Sequence, residues 1–275
     1  MKVGCVCPTY KRPRTTMMSA WWFLQQTYEG EAILYILDDG ASFLNPHVYI
    51  ISNNKQIILE SREERFPTLA EKSNYIFKKL YEEFNPDVYV LWDSDDLHLP
   101  WRLESIINGL QQDKAATFIY PTQVFSCNAN MRQFYLHNTF GRFHATAAFT
   151  RKAYRNGCEY TVTKNLAFDI TLLDKLLTSE VRGYPVANKY KNLPEYVYYY
   201  PCHELPNCSF YGQNWYEITA TLGSSVQPQE FKIQTYDKYM EVLESIMPGW
   251  YSSNQINMEV LMDTLEKTYR KGPVD

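Results

Sequence analysis

A cluster of carboxylates follows an apolar run near the middle of the chain. Asp93, Asp95 and Asp96 come directly after the run DVYVLW over residues 87–92. Three carboxylates this close repel one another, so a cation between them is favourable. Mg²⁺ and Mn²⁺ prefer hard oxygen ligands, take few of them from protein and accept others from a substrate diphosphate. The cluster therefore predicts a divalent-metal site, because a helix cap would need only one Asp.

A second acidic pair, Asp38 and Asp39, is followed by Gly40 and ends the apolar run EAILYIL over residues 31–37. One of these carboxylates can accept hydrogen bonds from a nucleobase N–H or from ribose hydroxyls. An Asp-Gly turn explains the same residues equally well. Both interpretations stay open from the residues alone.

The elements that carry these clusters alternate between strand and helix over the first 120 or so residues. Apolar runs predict strands at 2–7, 31–37, 48–52, 56–59, 87–92 and 116–121, and apolar spacing predicts helices at 14–28, at 67–84 and from Pro100 onward. This alternation is typical of an α/β protein with a parallel sheet and helices on both faces. Ligands of such sheets bind at the carboxyl ends of the strands, where the segments PTYKRP, DDG and DSDD all lie.

The second half of the chain is less regular. Residues 123–150 read as strands and loops, residues 168–178 as a helix, and residues 183–200 as a hairpin or a pair of strands. Two C-terminal helices are predicted at about 229–247 and 255–270. A boundary near residue 225 is expected to separate them from the rest of the chain.

Composition limits the functional classes. The 275 residues are 45% hydrophobic and carry a net charge of −4, which supports a large core and lacks the basic footprint of a nucleic-acid binder. No run approaches the roughly 20 apolar residues that span a bilayer, and the N-terminus does not resemble a signal peptide. The six scattered cysteines are interpreted as reduced thiols. We therefore expect a cytoplasmic protein, either soluble or peripherally membrane-associated.

Five segments in order carry a family resemblance: residues 7–13 (CPTYKRP), 26–28 (QTY), 36–42 (ILDDGAS), 71–75 (EKSNY) and 91–96 (LWDSDD), with 100–103 (PWRL) close behind. The chain resembles the family 2 glycosyltransferases of the GT-A fold. Residues 200–209 (YPCHELPNCS) also resemble an element found late in that family's domain. The resemblance implies a Rossmann-like, mostly parallel sheet flanked by helices. It makes 1–225 the glycosyltransferase domain, with a nucleotide-sugar-binding half (1–120), an acceptor half (121–225) and a C-terminal helical extension (226–275).

The resemblance also implies roles on the donor side. Thr9, Tyr10 and Asp39 would line the nucleoside pocket, with Tyr10 near the base. Lys72 would reach the nucleotide, and Asp93 would lie near the ribose and the donor sugar. The same motifs add Pro8, Arg12, Asp38 and Ser94 to the donor-binding residues. The implied donor is a UDP-sugar, or else a GDP- or dTDP-sugar.

The metal ligands implied by the resemblance are Asp95, Asp96 and His203, for a bound Mn²⁺ or Mg²⁺. The choice between the two adjacent aspartates stays open. His203 would lie near the metal or the diphosphate, and its alternative is a structural histidine. The acceptor would be a glycan or another hydroxyl compound, with a nucleic-acid acceptor not excluded. The activity would be that of a hexosyl- or pentosyltransferase, while the oligomeric state is left undetermined.

Asp169 is the candidate general base, because an inverting transfer needs a carboxylate to deprotonate the acceptor hydroxyl. The segment NLAFDITLL, residues 165–173, resembles the one that carries the base in the family, although Phe168 replaces the usual acidic or small neighbour. On a helix, Asp169 shares a face with the apolar stripe at residues 172, 173, 176 and 177 and so points inward. Asp174, Glu159 and Glu195 are weaker rivals. The strand near His144 and Thr146 resembles the acceptor side.

Two other functions fit part of the pattern. A nucleotidyltransferase also combines strand-end carboxylates with a metal and a nucleotide, but PTYKRP lacks the glycines of a phosphate-binding loop. A non-catalytic sugar-binding relative would be expected to lose the metal carboxylates, which this chain keeps. A transferase that modifies DNA bases is disfavoured by the acidic charge balance.

Overall fold

A computed structural model describes residues 1–43, 47–128, 133–139, 141, 143–162, 168–184, 196–199 and 229–230. The strands are β1 Val3–Thr9, β2 Ala32–Asp38, β3 His47–Ser52, β4 Lys55–Ser61, β5 Val88–Leu91, β6 Leu97–His98, β7 Phe118–Pro121, β8 Gln123–Asn128, β9 Gln133–Asn138, β10 Ala148–Thr150, β11 Val181–Tyr184, β12 Tyr196–Tyr199 and β13 Gln229–Glu230. The helices are α1 Pro13–Leu24, α2 Leu69–Glu83, α3 Arg102–Gln112, α4 Arg151–Arg155 and α5 Phe168–Leu177, with a 3₁₀ turn at His144–Thr146.

The larger sheet contains eight strands of the described residues, in the order β11-β7-β10-β5-β1-β2-β4-β3. Strand β1 pairs in parallel with β2 and β5, and β2 pairs in parallel with β4. The prediction of an α/β fold with a mostly parallel sheet is confirmed. Two strands run the other way, since β10 is antiparallel to both of its neighbours and β3 is antiparallel to β4. The turn between β3 and β4 is too short for a parallel crossover, and Asn53 closes it at a φ of 54°.

A second sheet has the order β13-β9-β8-β12-β6 within the described residues. Of the hairpin or pair of strands predicted at 183–200, the structure describes two strands, β11 and β12, but no hairpin between them, because β11 pairs with β7 in the larger sheet while β12 pairs with β6 and β8. The helix predicted from residue 229 does not begin there, because Gln229 and Glu230 pair with β9. Of the 226–275 extension only these two residues are described, and His203 and Glu195 also lie outside the described residues.

The core fills both faces of the larger sheet. On one face, Cys5 and Cys7 of β1 pack with apolar residues of α1 and α3, whereas Val6 faces α2 and α5 on the other. This alternation follows from the two-residue period of a strand. Helix α2 is placed by its own N-cap, since the Thr68 hydroxyl accepts a hydrogen bond from the Glu71 backbone N–H at 3.1 Å. The helices therefore hold the strands from both sides, as the sequence predicts.

Helix α1 ends at Leu24, four residues before the predicted end. The buried side chain of Gln26 accounts for this. Its Nε2 donates to the carbonyls of His98 and Leu99 at 3.0 and 2.9 Å, and its Oε1 accepts from the Leu103 N–H at 3.1 Å. The chain leaves the helix because these bonds tie it to the beginning of α3.

Within the part of the chain that the structure describes, no helix combines the length and the apolarity that a bilayer crossing requires.

Candidate active site

The carboxyl ends of β2, β1 and β5 meet at one edge of the larger sheet. Thr9 lies opposite Asp38 in the β1–β2 register, and the Trp92 N–H donates to the Val6 carbonyl at 3.0 Å beyond the end of β5. The three polar segments PTYKRP, DDG and DSDD are therefore neighbours, as predicted from their strand-end positions. Pro8 and Thr9 belong to β1 itself, and the Thr9 hydroxyl lies 2.8 Å from that of Thr16 on α1.

Asp38 builds the loop at the end of β2. Its fully buried carboxylate accepts hydrogen bonds from the Ser42 N–H at 2.7 Å and the Ser61 hydroxyl at 2.9 Å, and a weaker one from the Gly40 N–H at 3.2 Å. A Cβ at Gly40 would lie 2.8 Å from the Lys11 backbone nitrogen, so this close approach requires glycine. In the described structure the carboxylate of Asp38 holds the loop in shape through these hydrogen bonds, as the turn interpretation of the sequence expects.

Asp39 forms a buried ion pair with Lys72. The Lys72 Nζ donates to Asp39 Oδ1 at 2.5 Å and to the Thr9 carbonyl at 2.6 Å, and Asp39 Oδ2 accepts from the Phe66 N–H at 3.0 Å. Both charged side chains are about 95% or more buried. Burial lowers the pKa of Lys72, and the bond to Asp39 opposes that effect. The pair joins β1, β2 and α2 beside the expected nucleoside pocket.

The Tyr10 ring, which follows β1, lies close to two cations. The Arg65 guanidinium carbon is 4.2 Å from the ring centroid, and the Lys11 Nζ is 5.4 Å from it. Cations at these distances are attracted to the face of an aromatic ring. Tyr10 is partly exposed, so its ring offers a flat surface with positive charge nearby.

The carboxylates after β5 create an excess of negative charge. Burial, followed by the neighbouring Asp95, raises the pKa of Asp93 to about 7, while Arg102 and Arg12 lower it. Arg12 forms an ion pair with Asp95. Ser94 and Asp96 are buried, in contrast to the partly exposed Asp93 and Asp95. The carboxylates of Asp93 and Asp95 are thus crowded and only partly neutralised by arginine.

These residues fit a divalent cation. Magnesium and manganese commonly take one or two carboxylates from the protein and complete their coordination with water and phosphate. Asp93 and Asp95 offer that set, and their mutual repulsion would be relieved by a cation. No cluster of three His, Cys, Asp or Glu suited to a metal occurs among the described residues, and His203 is not one of them. The ion pair between Arg12 and Asp95 already neutralises part of the negative charge of these carboxylates.

A buried Arg–His pair supports the same loop, and the sequence reasoning assigned it no role. The Arg102 guanidinium donates to His98 Nδ1 and, at 2.8 and 2.9 Å, to the carbonyls of Leu91 and Ala145. Because a guanidinium only donates, His98 carries its proton on Nε2 and donates it to the Asp93 carbonyl at 2.8 Å. His98 ends β6 and Arg102 begins α3, so no helical spacing in the sequence points to this pair.

Asp169, the candidate base, lies near enough to the acidic loop to influence Asp93. It lies in the first turn of α5, and its carboxylate contributes to the raised pKa of Asp93. Its Oδ1 is buried, and no described residue donates a hydrogen bond to it. Buried carboxylate oxygens are nearly always paired, so an unpaired one calls for an explanation. The rivals Asp174 and Glu159 are exposed.

Comparisons with known proteins identify the fold. No protein-family model and no curated protein matches the chain. Among solved structures, residues 1–349 of S. aureus TarS align over 98% of this chain and 80% of that one, with a TM-score of 0.54 at 10% identity. The chain has the GT-A fold of nucleotide-sugar glycosyltransferases. The same TarS fragment in complex with UDP-GlcNAc aligns over 98% of this chain and 81% of that one, with a TM-score of 0.54 at 11% identity.

The TarS fragment in complex with UDP is similar over 95% of this chain and 75% of that one, with a TM-score of 0.53 at 12% identity. At such identities the likeness establishes the fold. On this GT-A fold the residues predicted for the donor, Asp93 with its neighbours, lie at the carboxyl edge of the larger sheet, and the candidate base Asp169 contributes to the raised pKa of Asp93.

Proposed function

We propose that the chain is a metal-dependent, inverting glycosyltransferase that moves a sugar from a UDP-sugar to an acceptor hydroxyl. The observation that carries the proposal is that no described residue donates a hydrogen bond to the buried Oδ1 of Asp169. A desolvated carboxylate oxygen without a donor gains free energy when a hydroxyl reaches it. Because Asp169 is close enough to influence Asp93, that hydroxyl would arrive beside the donor-side carboxylates.

The donor side supports a nucleotide diphosphate. The Asp39–Lys72 pair and the Tyr10 ring offer polar groups and a flat surface for a nucleoside. Arg12 and Lys72 bring positive charge towards the leaving diphosphate. A UDP-sugar is the preferred donor because the TarS structures of the same fold contain UDP and UDP-GlcNAc. A GDP- or dTDP-sugar is the alternative outcome of the binding test.

In the proposed reaction the acceptor oxygen attacks the anomeric carbon while its proton passes to Asp169. A new C–O bond forms, and the bond from the anomeric carbon to the diphosphate oxygen breaks with its electron pair leaving on the UDP. A bound Mn²⁺ or Mg²⁺, held by Asp95 with Asp93 beside it, would neutralise the charge that develops on the diphosphate. Asp96 is buried next to this pair.

The test compares Asp169→Asn with Asp174→Asn, a matched change on the exposed side of the same helix. Wild-type protein is incubated with Mn²⁺ and a panel of nucleotide sugars, and release of nucleoside diphosphate is measured with water or an added sugar as acceptor. We expect Asp169→Asn to slow release by roughly 10²–10⁴-fold, the usual effect of losing an acid–base group, with UDP affinity unchanged. Asp174→Asn should behave as wild type.

Activity of Asp169→Asn within about threefold of wild type would exclude the proposed base, since a lost acid–base group costs far more than that. Loss of UDP binding in the same variant would make Asp169 part of the donor site instead. A protein that releases pyrophosphate from a nucleoside triphosphate and a sugar phosphate would be a nucleotidyltransferase, and the proposed function would fail.

A further inference from the structure

Asn74 belongs to a segment that the sequence comparison singles out but leaves without a role. It lies two residues after Lys72 on α2, so the two side chains leave the helix in different directions. Lys72 points to the donor pocket, where it contacts Asp39. Asn74 instead reaches a residue 86 positions away, Tyr160, on the acceptor side of the protein.

The contact between Asn74 and Tyr160 is a two-point clamp on the backbone. The Asn74 Nδ2 donates to the Tyr160 carbonyl at 2.8 Å, and Asn74 Oδ1 accepts from the Tyr160 N–H at 3.0 Å. The Tyr160 ring also stacks on Phe77, one helical turn further along α2, with ring centroids 5.9 Å apart. Helix α2 thus holds both the backbone and the ring of Tyr160 in a defined position.

The Tyr160 hydroxyl is hydrogen-bonded to His144 Nε2 at 2.6 Å. Burial, followed by the charges of Asp93 and Asp169, raises the pKa of Tyr160, so its hydroxyl stays protonated. Burial lowers the pKa of His144, and Asp169 opposes that effect. The Tyr160–His144 pair is therefore neutral. The next residue ties this segment to α5, the helix that carries Asp169, because the Thr161 N–H donates to Thr171 Oγ1 at 3.1 Å.

We propose that the Tyr160–His144 pair, held by Asn74, is a spacer that positions Asp169 relative to Asp93. The gap between these carboxylates is where an acceptor hydroxyl and a donor sugar have to meet. Asn74 ties the spacer to the helix that carries Lys72, so the position of the acceptor-side base is fixed relative to the donor-binding half. Reaction rates depend steeply on this relative position, because a misplacement of about 1 Å can lower the rate 10²-fold. The inference rests on the proposed glycosyl transfer.

The central variant is Tyr160→Phe, which keeps the stacking on Phe77 and the backbone clamp and removes only the hydroxyl. Donor turnover is measured with Mn²⁺ and whichever UDP-sugar the wild type uses, with water as acceptor. We expect kcat to fall by roughly ten- to hundredfold, while the KM for the donor and the affinity for UDP stay unchanged. The matched control is Tyr154→Phe, a partly buried tyrosine that packs on the same Phe77 ring at 6.0 Å, and it should retain wild-type kcat.

Asn74→Ala tests the same contacts by removing the side chain that holds Tyr160. It replaces Tyr160→Phe in the assay if that variant is unstable. It should also lower kcat without changing UDP affinity. Because Asn74 acts through Tyr160, the double variant Asn74→Ala/Tyr160→Phe should be no slower than the more impaired single variant. A merely structural role would instead lower stability and leave kcat per folded molecule intact.

The outcomes separate this inference from the proposed function. A wild type that turns over a nucleotide sugar while Tyr160→Phe is equally active overturns the spacer. Multiplicative effects of Asn74→Ala and Tyr160→Phe overturn the link between them. A folded wild type that turns over no nucleotide sugar overturns the proposed function, and the spacer with it.

Discussion

Lys72→Met is the change with the most direct structural consequence. It removes the donor that binds Asp39 Oδ1 at 2.5 Å and the Thr9 carbonyl at 2.6 Å, at a site where both charged side chains are buried. Asp39 keeps the Phe66 N–H but loses its counter-charge. Breaking a buried ion pair from one side typically costs about 3–5 kcal/mol. Burial has already lowered the pKa of Lys72, so we expect the lower end of that range.

The assay is a double-mutant cycle in urea with Lys72→Met, Asp39→Asn and the combined variant. The double variant leaves no unpaired charge, so the two single effects should not add, with a coupling free energy of about 1–3 kcal/mol. The control is Lys79→Met on the same helix, whose exposed pair with Glu83 at 2.9 Å should contribute no more than about 0.5 kcal/mol. A Lys72→Met loss below about 1 kcal/mol, or additive effects, would refute the buried-pair argument.

The pH dependence of the same variants adds a signed test. The pKa of Lys72 is lowered below 10.5 in the folded protein, so the unfolded chain binds more protons in the window between the two values. Stability therefore rises with pH in that window as far as Lys72 is concerned. The difference in unfolding free energy between wild type and Lys72→Met should widen as pH increases towards 10.5. A difference that stays constant or narrows would contradict the sign.

Two further predictions concern the acidic loop. Removing the divalent cation with EDTA should weaken UDP binding by about tenfold or more, because Asp93 and Asp95 then repel the diphosphate; titration calorimetry with and without Mn²⁺ measures this, and equal affinities would rule out the metal site. Arg102→Met should lower the unfolding free energy by about 2–4 kcal/mol, because the buried carbonyls of Leu91 and Ala145 lose their donor at a cost of about 1–3 kcal/mol each. The control Arg155→Met, an exposed arginine, should leave stability near wild type, and an equal loss in both variants would contradict the role of Arg102.

The order of strands and helices in the first half of the chain could be predicted from the sequence because it depends on local periodicity. The runs EAILYIL and DVYVLW are apolar on both faces, and a strand with that pattern has to be buried in the middle of a sheet. Polar residues directly after such strands come together because parallel strands end at the same edge. This is why sequence positions alone predict that Asp39 and Asp93 lie at the same edge of the sheet.

Periodicity does not tell which strands become neighbours across long loops. Strand β10 inserts antiparallel between β5 and β7, and β11 and β12 join different sheets, although each is an ordinary short strand by pattern. Helix ends were also misjudged where a distant partner decides them. Gln26 ends α1 early because it bonds to carbonyls 72 and 73 residues away.

The sequence by itself determined the fold class, the strand-end carboxylates and an inward-facing Asp169, because each follows from residue type and a local repeat. Only the tertiary structure decided how those carboxylates are used. Asp38 is hydrogen-bonded within its own loop, Asp39 is paired with Lys72, and no described residue donates a hydrogen bond to Asp169 Oδ1. The Asn74–Tyr160 clamp likewise joins residues 86 positions apart. Hydrogen bonds and desolvation depend on distances of a few ångströms between remote segments, and those distances exist only once the chain has closed around its core.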